Sequence, residues 1–207
     1  MKHWILAAAT LALVTGAPLA AQEPHFGIGL TVGVPTGAFN STTYPSGATE
    51  SYESALGLQF TASFPVDRSL AWRLNLSGQT FSGHADDPAV RDRLNTQDAM
   101  FSIGGDAQIF LGTGNAQRHL GTYLIGGLAL DLERFTASYD DPSFYPDSTI
   151  NKSRLGLNVG IGHSVRYVGR WRWNFEATYH KTLTSHDTGA GDPPAADFIR
   201  LGAGVTF

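Results

Sequence analysis

Apolar positions alternate with small or polar ones along most of this chain, in eight separate runs. The first sets Phe26, Ile28, Leu30, Val32 and Val34 against Gly27, Gly29, Thr31 and Gly33, and the second sets Leu56, Leu58, Phe60, Ala62 and Phe64 against Gly57, Gln59, Thr61 and Ser63. The third places Leu70, Trp72, Leu74 and Leu76 opposite Arg73, Asn75, Ser77 and Gln79, and the fourth places Phe101, Ile103, Ala107, Ile109 and Leu111 opposite Ser102, Asp106 and Gln108. A repeat of two is the signature of a strand with two unlike faces. The fifth run, 120–134, is less regular. Its leucines Leu124, Leu128, Leu130 and Leu132 share one face and Tyr123, Ile125, Ala129, Asp131 and Glu133 the other, which suggests a bulge near Gly126 and Gly127. The sixth (155–165), seventh (171–180) and eighth (198–207) alternate cleanly again.

The connections alternate as well. Polar stretches at 40–53, 83–96, 135–151 and 181–196 take turns with short links at 65–68, 112–119 and 168–170. An antiparallel up-and-down barrel inserted from one side of a membrane has this arrangement, with short turns on the near side and long loops on the far side. The fold class expected is therefore an all-β, eight-stranded antiparallel up-and-down transmembrane barrel. Eight apolar faces without a covering layer would be intolerable in water, and the sequence offers no helices to cover them.

Residues 1–21 read as a secretory signal peptide, with a short basic start, an apolar core over 4–14 and a small-residue stretch ending at Ala21. The core is too short for a helical span, which needs ~20 residues. Residues 22–207 form the barrel domain. The chain has no cysteine, and its 18 acidic residues outnumber 14 basic ones, which argues against nucleic acid as a partner.

Charged residues on the inner faces define the candidate site. Arg73, Asp106, Glu176 and Arg200 are expected to form a lumen charge network, with Glu176 and Arg200 paired across neighbouring strands. In a barrel this narrow, side chains fill the interior. An ion-paired plug is therefore favoured over a gated pore. Trp72, Tyr123, Tyr167, Trp171, Trp173 and Tyr179 lie near strand ends and are read as an aromatic girdle at the bilayer interfaces. No catalytic residue, metal ligand or cofactor site is expected. The histidines lack metal-ligand spacing, and His163 and Ser164, adjacent in a strand, must point to opposite faces. Acidic pairs at Asp86 and Asp87 and at Asp140 and Asp141, with Asp147, read as solvated loop acids.

Segments 27–35 (GIGLTVGVP), 123–128 (YLIGGL) and 156–162 (GLNVGIG), with the terminal Phe207, resemble the eight-stranded outer-membrane barrels typified by OmpA, OmpX and the opacity-type proteins. The resemblance spans the whole mature chain. It implies residence in the cell outer membrane among its lipids and lipopolysaccharide. It also implies recognition of Phe207 by the barrel-assembly machinery, and a structural, envelope-integrity or surface-interaction role in which the four outer loops meet an extracellular ligand. The cell-wall-binding domain of full-length OmpA-type proteins is not expected after Phe207. A narrow channel for ions or small solutes is the alternative, and a lipid-modifying enzyme comes last.

Overall fold

The computed structural model describes residues 23–43, 49–87, 92–139, 147–183 and 195–207. Residues 1–21, read from the sequence as a signal peptide, lie outside them, as do Asp140 and Asp141. Eight long strands form the wall: β1 (His25–Pro35), β4 (Ala55–Pro65), β5 (Leu70–Asp87), β6 (Asp92–Phe110), β7 (Gly121–Tyr139), β8 (Ser148–Arg166), β9 (Arg172–Thr182) and β10 (Phe198–Thr206). Each pairs antiparallel with the next, and β1 pairs with β10 from Gly27↔Thr206 to Pro35↔Phe198, so the sheet closes on itself. Phe207 completes the seam: its N–H donates to the carbonyl of Phe26, and its carbonyl accepts from the N–H of Phe26.

Closure leaves no edge strand in the wall, and every strand keeps one face for the outside and one for the lumen. The outer face carries exposed Phe26, Ile28, Leu30, Leu58, Phe60, Leu74, Ile103, Leu128, Ile161 and Leu201. Among the described residues no helix is long and apolar enough to cross a membrane.

Three sequence expectations are corrected. β7 has no bulge at Gly126 and Gly127, because its pairing runs unbroken from Ala107↔Gly126 and Asp106↔Gly127 on one side to Gly126↔Val159 and Gly127↔Asn158 on the other. The stretches 83–96 and 135–151 are not wholly loop, since β5 continues to Asp87, β6 starts at Asp92, β7 reaches Tyr139 and β8 starts at Ser148. A barrel strand needs ~9–11 residues to span a bilayer, and β6 and β7 have 19. The surplus continues the hydrogen-bonded wall beyond the apolar belt. The first polar stretch also holds two short strands, β2 (Ser41–Thr43) and β3 (Thr49–Tyr52), and β3 pairs with the end of β5.

Candidate functional site: the barrel lumen

Inward-facing side chains fill the lumen in three layers. The layer at the loop end is aromatic. Phe39 stacks on Tyr52 at 4.6 Å, meets Phe81 edge-on at 4.9 Å, and Phe81 touches Phe198 at 5.4 Å. Phe39 comes from the short 3-10 turn Gly37–Phe39 that follows β1, and together with Tyr52 it covers the barrel mouth. Acidic Glu50 and Asp98 are buried at the same end, and Glu133 pairs with Arg154 at 3.2 Å.

The middle layer is a connected polar network. Arg73 and Asp106 are register partners on β5 and β6, and the guanidinium meets Asp106 Oδ2 through Nε at 3.1 Å and Nη2 at 2.9 Å. Nη1 of Arg73 donates to Glu176 of β9, whose same oxygen accepts the Tyr123 hydroxyl at 2.8 Å. The network extends toward the loop end through Asn158, which donates to Asp106 at 3.4 Å and meets His180 Nδ1 through its carbonyl oxygen at 2.9 Å. His180 Nε2 lies 3.0 Å from Asp131, and Asp131 accepts Ser102 Oγ at 2.6 Å. Removing one partner from a buried ion pair costs ~3–5 kcal/mol, so the members hold one another in place.

The layer at the turn end is aromatic again. Phe110, Tyr123 and His119 pack with ring centroids 4.9 to 5.6 Å apart. His119 belongs to the short β6–β7 connection, where its left-handed backbone (φ 47°) turns the ring into the barrel and Ser164 Oγ donates to its carbonyl at 2.7 Å. Between this layer and the network lies a cavity of about 30 Å³, lined by Gln59, Gln108, His119, Asn174 and the glycines of β1 and β10. That is room for about two waters and no larger solute.

The structure brings Arg73, Asp106 and Glu176 together, but it does not pair Glu176 with Arg200. Glu176 stands directly opposite Gly202, and the register partner of Arg200 is Thr178, two residues further along. Arg200 lies instead over the ring of Phe198 at 5.4 Å. The inward face of β7 also removes Tyr123 from the girdle. The ring is fully buried, because odd-numbered residues of that strand face the lumen. Trp72, Tyr167, Trp171 and Trp173 are exposed at the turn end, where Tyr167 meets Trp173 edge-on at 5.8 Å, and Tyr179 is exposed toward the loop end. Sequence reasoning omitted Asp131, His180, Ser102 and Asn158 from the network, although the same two-residue repeat places them inside. Glu50 carried no such signal, since it sits in a polar connection.

Ser102 and His180 both address Asp131 and not each other, so they do not form a serine–histidine pair. His163 faces outward, bonded to Thr122 Oγ1 at 2.8 Å, while Ser164 faces inward. Outside the strands, Asp67 in the β4–β5 turn accepts from the Ser69 N–H at 2.6 Å, the Ser69 hydroxyl at 2.9 Å and the Leu70 N–H at 2.9 Å. These bonds hold its carboxyl below the usual carboxylate range.

A closed eight-stranded wall with an apolar outside and a polar, filled inside defines an outer-membrane β-barrel. The chain belongs to the outer membrane protein beta-barrel domain family, whose sequence profile matches residues 6–207. No curated protein matches it significantly. Among solved structures it is similar to Ail, the attachment invasion locus protein of Yersinia pestis, in complex with the heparin analogue sucrose octasulfate. That likeness has 12% identity and a TM-score of 0.55, and covers 90% of this chain and 99% of that one. It is also similar to the outer membrane protein OprG from Pseudomonas aeruginosa, with 11% identity, a TM-score of 0.56, and coverage of 91% and 97%. At such identities the likeness speaks to the fold alone.

Proposed function

We propose that this protein is a closed barrel of the cell outer membrane that acts through its four long loops, as a structural and surface-interaction protein rather than a conduit. The observation that carries this reading is the three-layer filling of the lumen. A solute would have to displace two aromatic layers and a buried ion-pair network in series, and the space left between them holds only water. The barrel then serves to hold the loops at the cell surface. In the same reading residues 1–21 are a cleaved leader, Trp72, Tyr167, Trp171, Trp173 and Tyr179 mark the bilayer interfaces, and Phe207 is the signal for the assembly machinery. The protein is read as non-enzymatic.

The composition of the loops narrows the ligand. Residues 40–53, 83–96, 135–151 and 181–196 together hold ten acidic residues and three basic ones. Ail has been seen with a sulfated sugar; the acidic loops of this chain would repel a polyanion and favour a cationic or neutral partner. Two measurements test the reading. Planar-bilayer conductance of the refolded barrel, with heat-dependent gel mobility as proof of folding, is expected to show no discrete steps. Vesicles carrying the protein are expected to bind a polylysine-type cationic peptide in a salt-sensitive way and to ignore a sulfated glycan. Reproducible channel steps from the wild-type protein would replace this reading with the channel.

A further inference from the structure

We propose that the outer wall over β5 and β6 carries a binding groove for one phosphorylated glycolipid of the outer leaflet, with an acyl chain along the groove and a phosphate on Arg134. The groove has a volume of about 610 Å³, within the ~300–1,000 Å³ of pockets that take a drug-sized ligand. Its shape follows from the register. Leu58, Gly78, Phe101 and Leu132 are successive partners across four strands, and in the next row Thr80, Ala99 and Arg134 are partners across three. Gly78, Thr80 and Ala99 therefore form a low floor on β5 and β6 beside the larger Phe101, with Leu56 and Leu58 as one wall and Leu132 and Arg134 as the other.

Apolar fit alone would not select a lipid, because lipid tails are as apolar as leucine and only close packing distinguishes one from another. Selection comes from Arg134. It is exposed on the outer wall, one register row beyond the last apolar row of the groove on the loop side, and it makes no ion pair among the described residues. Lys181, an outward cation near the loop end of β9, is already held by Asp197 at 3.3 Å. A guanidinium offers two parallel donors to a phosphate, a charge-assisted contact stronger than an ordinary hydrogen bond. Next to it, Asn151, the register partner of Arg134 on β8, adds polar surface suited to a sugar headgroup. Arg134 lies toward the loop end of β7, so the assignment to the outer leaflet rests on the reading that the long loops face outward.

Two substitutions separate head from tail. Arg134→Gln removes the charge. Gly78→Leu fills the groove without disturbing the wall, because a Cβ at residue 78 meets only Phe101 Cδ2, at 4.0 Å. Native mass spectrometry of the refolded protein with bisphosphorylated lipid A, its dephosphorylated form and phosphatidylcholine reads both. The expected result is one lipid A retained by the wild-type protein. Arg134→Gln should weaken lipid A by about tenfold or more and leave the dephosphorylated form unchanged, and Gly78→Leu should weaken both. Equal retention of phosphatidylcholine, or indifference of lipid A to either substitution in a barrel that still shows the folded gel mobility, would overturn the proposal. Channel steps from the wild-type protein would overturn the loop-presenting function without touching this result.

Discussion

Arg73 reaches across the lumen to Glu176 while the other edge of its guanidinium lies on Asp106, so a single cation on β5 ties together β6 and β9. The pair with Glu176 joins residues 103 positions apart in sequence, and it closes the barrel interior as the β1–β10 pairing closes its wall. Both carboxylates depend on it: Asp106 has one further donor in Asn158, and Glu176 has the Tyr123 hydroxyl.

The two lumen arginines should therefore differ sharply. Arg73→Ala leaves Asp106 and Glu176 without their cation and is expected to destabilise the barrel by ~3–5 kcal/mol. Arg200→Ala removes a guanidinium that makes no ion pair among the described residues, and whose Nε is buried without a hydrogen-bond partner; its cost is expected to stay below about 1.5 kcal/mol, since a lost ring contact is offset by relief of that buried donor. Urea unfolding in lipid vesicles, followed by tryptophan fluorescence, measures both. Equal costs would mean that the charges act as a diffuse field and not through the Arg73 contacts.

Glycines on the inner wall make room for the network, and Gly162 and Gly156 do so by close approach to its side chains. A Cβ at residue 162 would stand 2.4 Å from the Tyr123 ring, and one at residue 156 would stand 2.3 Å from His180 Cε1 and 2.6 Å from Asp131 Oδ2. Tyr123 cannot retreat, being packed against Phe110 and His119 on its other side. Gly162→Ala is thus expected to cost ~1–3 kcal/mol through overpacking and to change the near-ultraviolet circular dichroism as the Tyr123–Glu176 bond is lost. An unchanged spectrum and midpoint would show that the tyrosine is not wedged.

The acid side of the stability profile should carry a histidine. Burial, helped by the positive charges of His25, Arg73 and Arg172, pushes the His119 imidazole down to about 3 from an ordinary value of 6.5. The folded protein then keeps this ring neutral while the unfolded chain protonates it. Its stabilising contribution is complete above pH 6.5 and is lost as pH falls from there toward 3, with a slope of up to about 1.4 kcal/mol per pH unit. Comparing wild type with His119→Asn, a residue that tolerates the left-handed backbone found there, isolates the effect. The difference in unfolding free energy between the two should change over that window and stay flat above pH 7.

How much of this was legible follows from where the chemistry sits. The strands were readable because bilayer and lumen impose opposite demands on alternate residues. The signal fails where the outside becomes water: beyond Leu132, the outward positions of β7 and β8 are Arg134, Thr136, Ser138, Thr149, Asn151 and Ser153. The ladder of hydrogen bonds continues there while the apolar alternation stops, so paired strand reads as loop. Tyr123 illustrates a conflict between two cues, since proximity to a strand end suggests the interface but its face decides for the lumen. The Arg73–Glu176 pair was beyond reach, because a period-two pattern fixes which way a side chain points but not which distant strand it meets across the barrel.

Layers in series make a specific prediction for conduction. Phe81→Ala thins the aromatic layer at the loop end but leaves the Arg73–Asp106–Glu176 network and the Phe110–Tyr123–His119 layer in place, and Glu176→Ala opens the network but leaves both aromatic layers. Each single variant is expected to remain as silent as the wild type in a planar bilayer, because the narrowest remaining layer sets the resistance. Only a variant relieved in all three, such as Phe81→Ala with Glu176→Ala and Tyr123→Ala, should show small steps. Those steps should favour cations, since the inward-facing carboxylates of Glu50, Asp98, Asp106, Asp131 and Glu133 outnumber the guanidinium groups of Arg73, Arg154 and Arg200. Discrete conductance from Glu176→Ala alone would mean that the ion-pair network is the sole barrier and that the aromatic layers give way, which would make the barrel a gated pore.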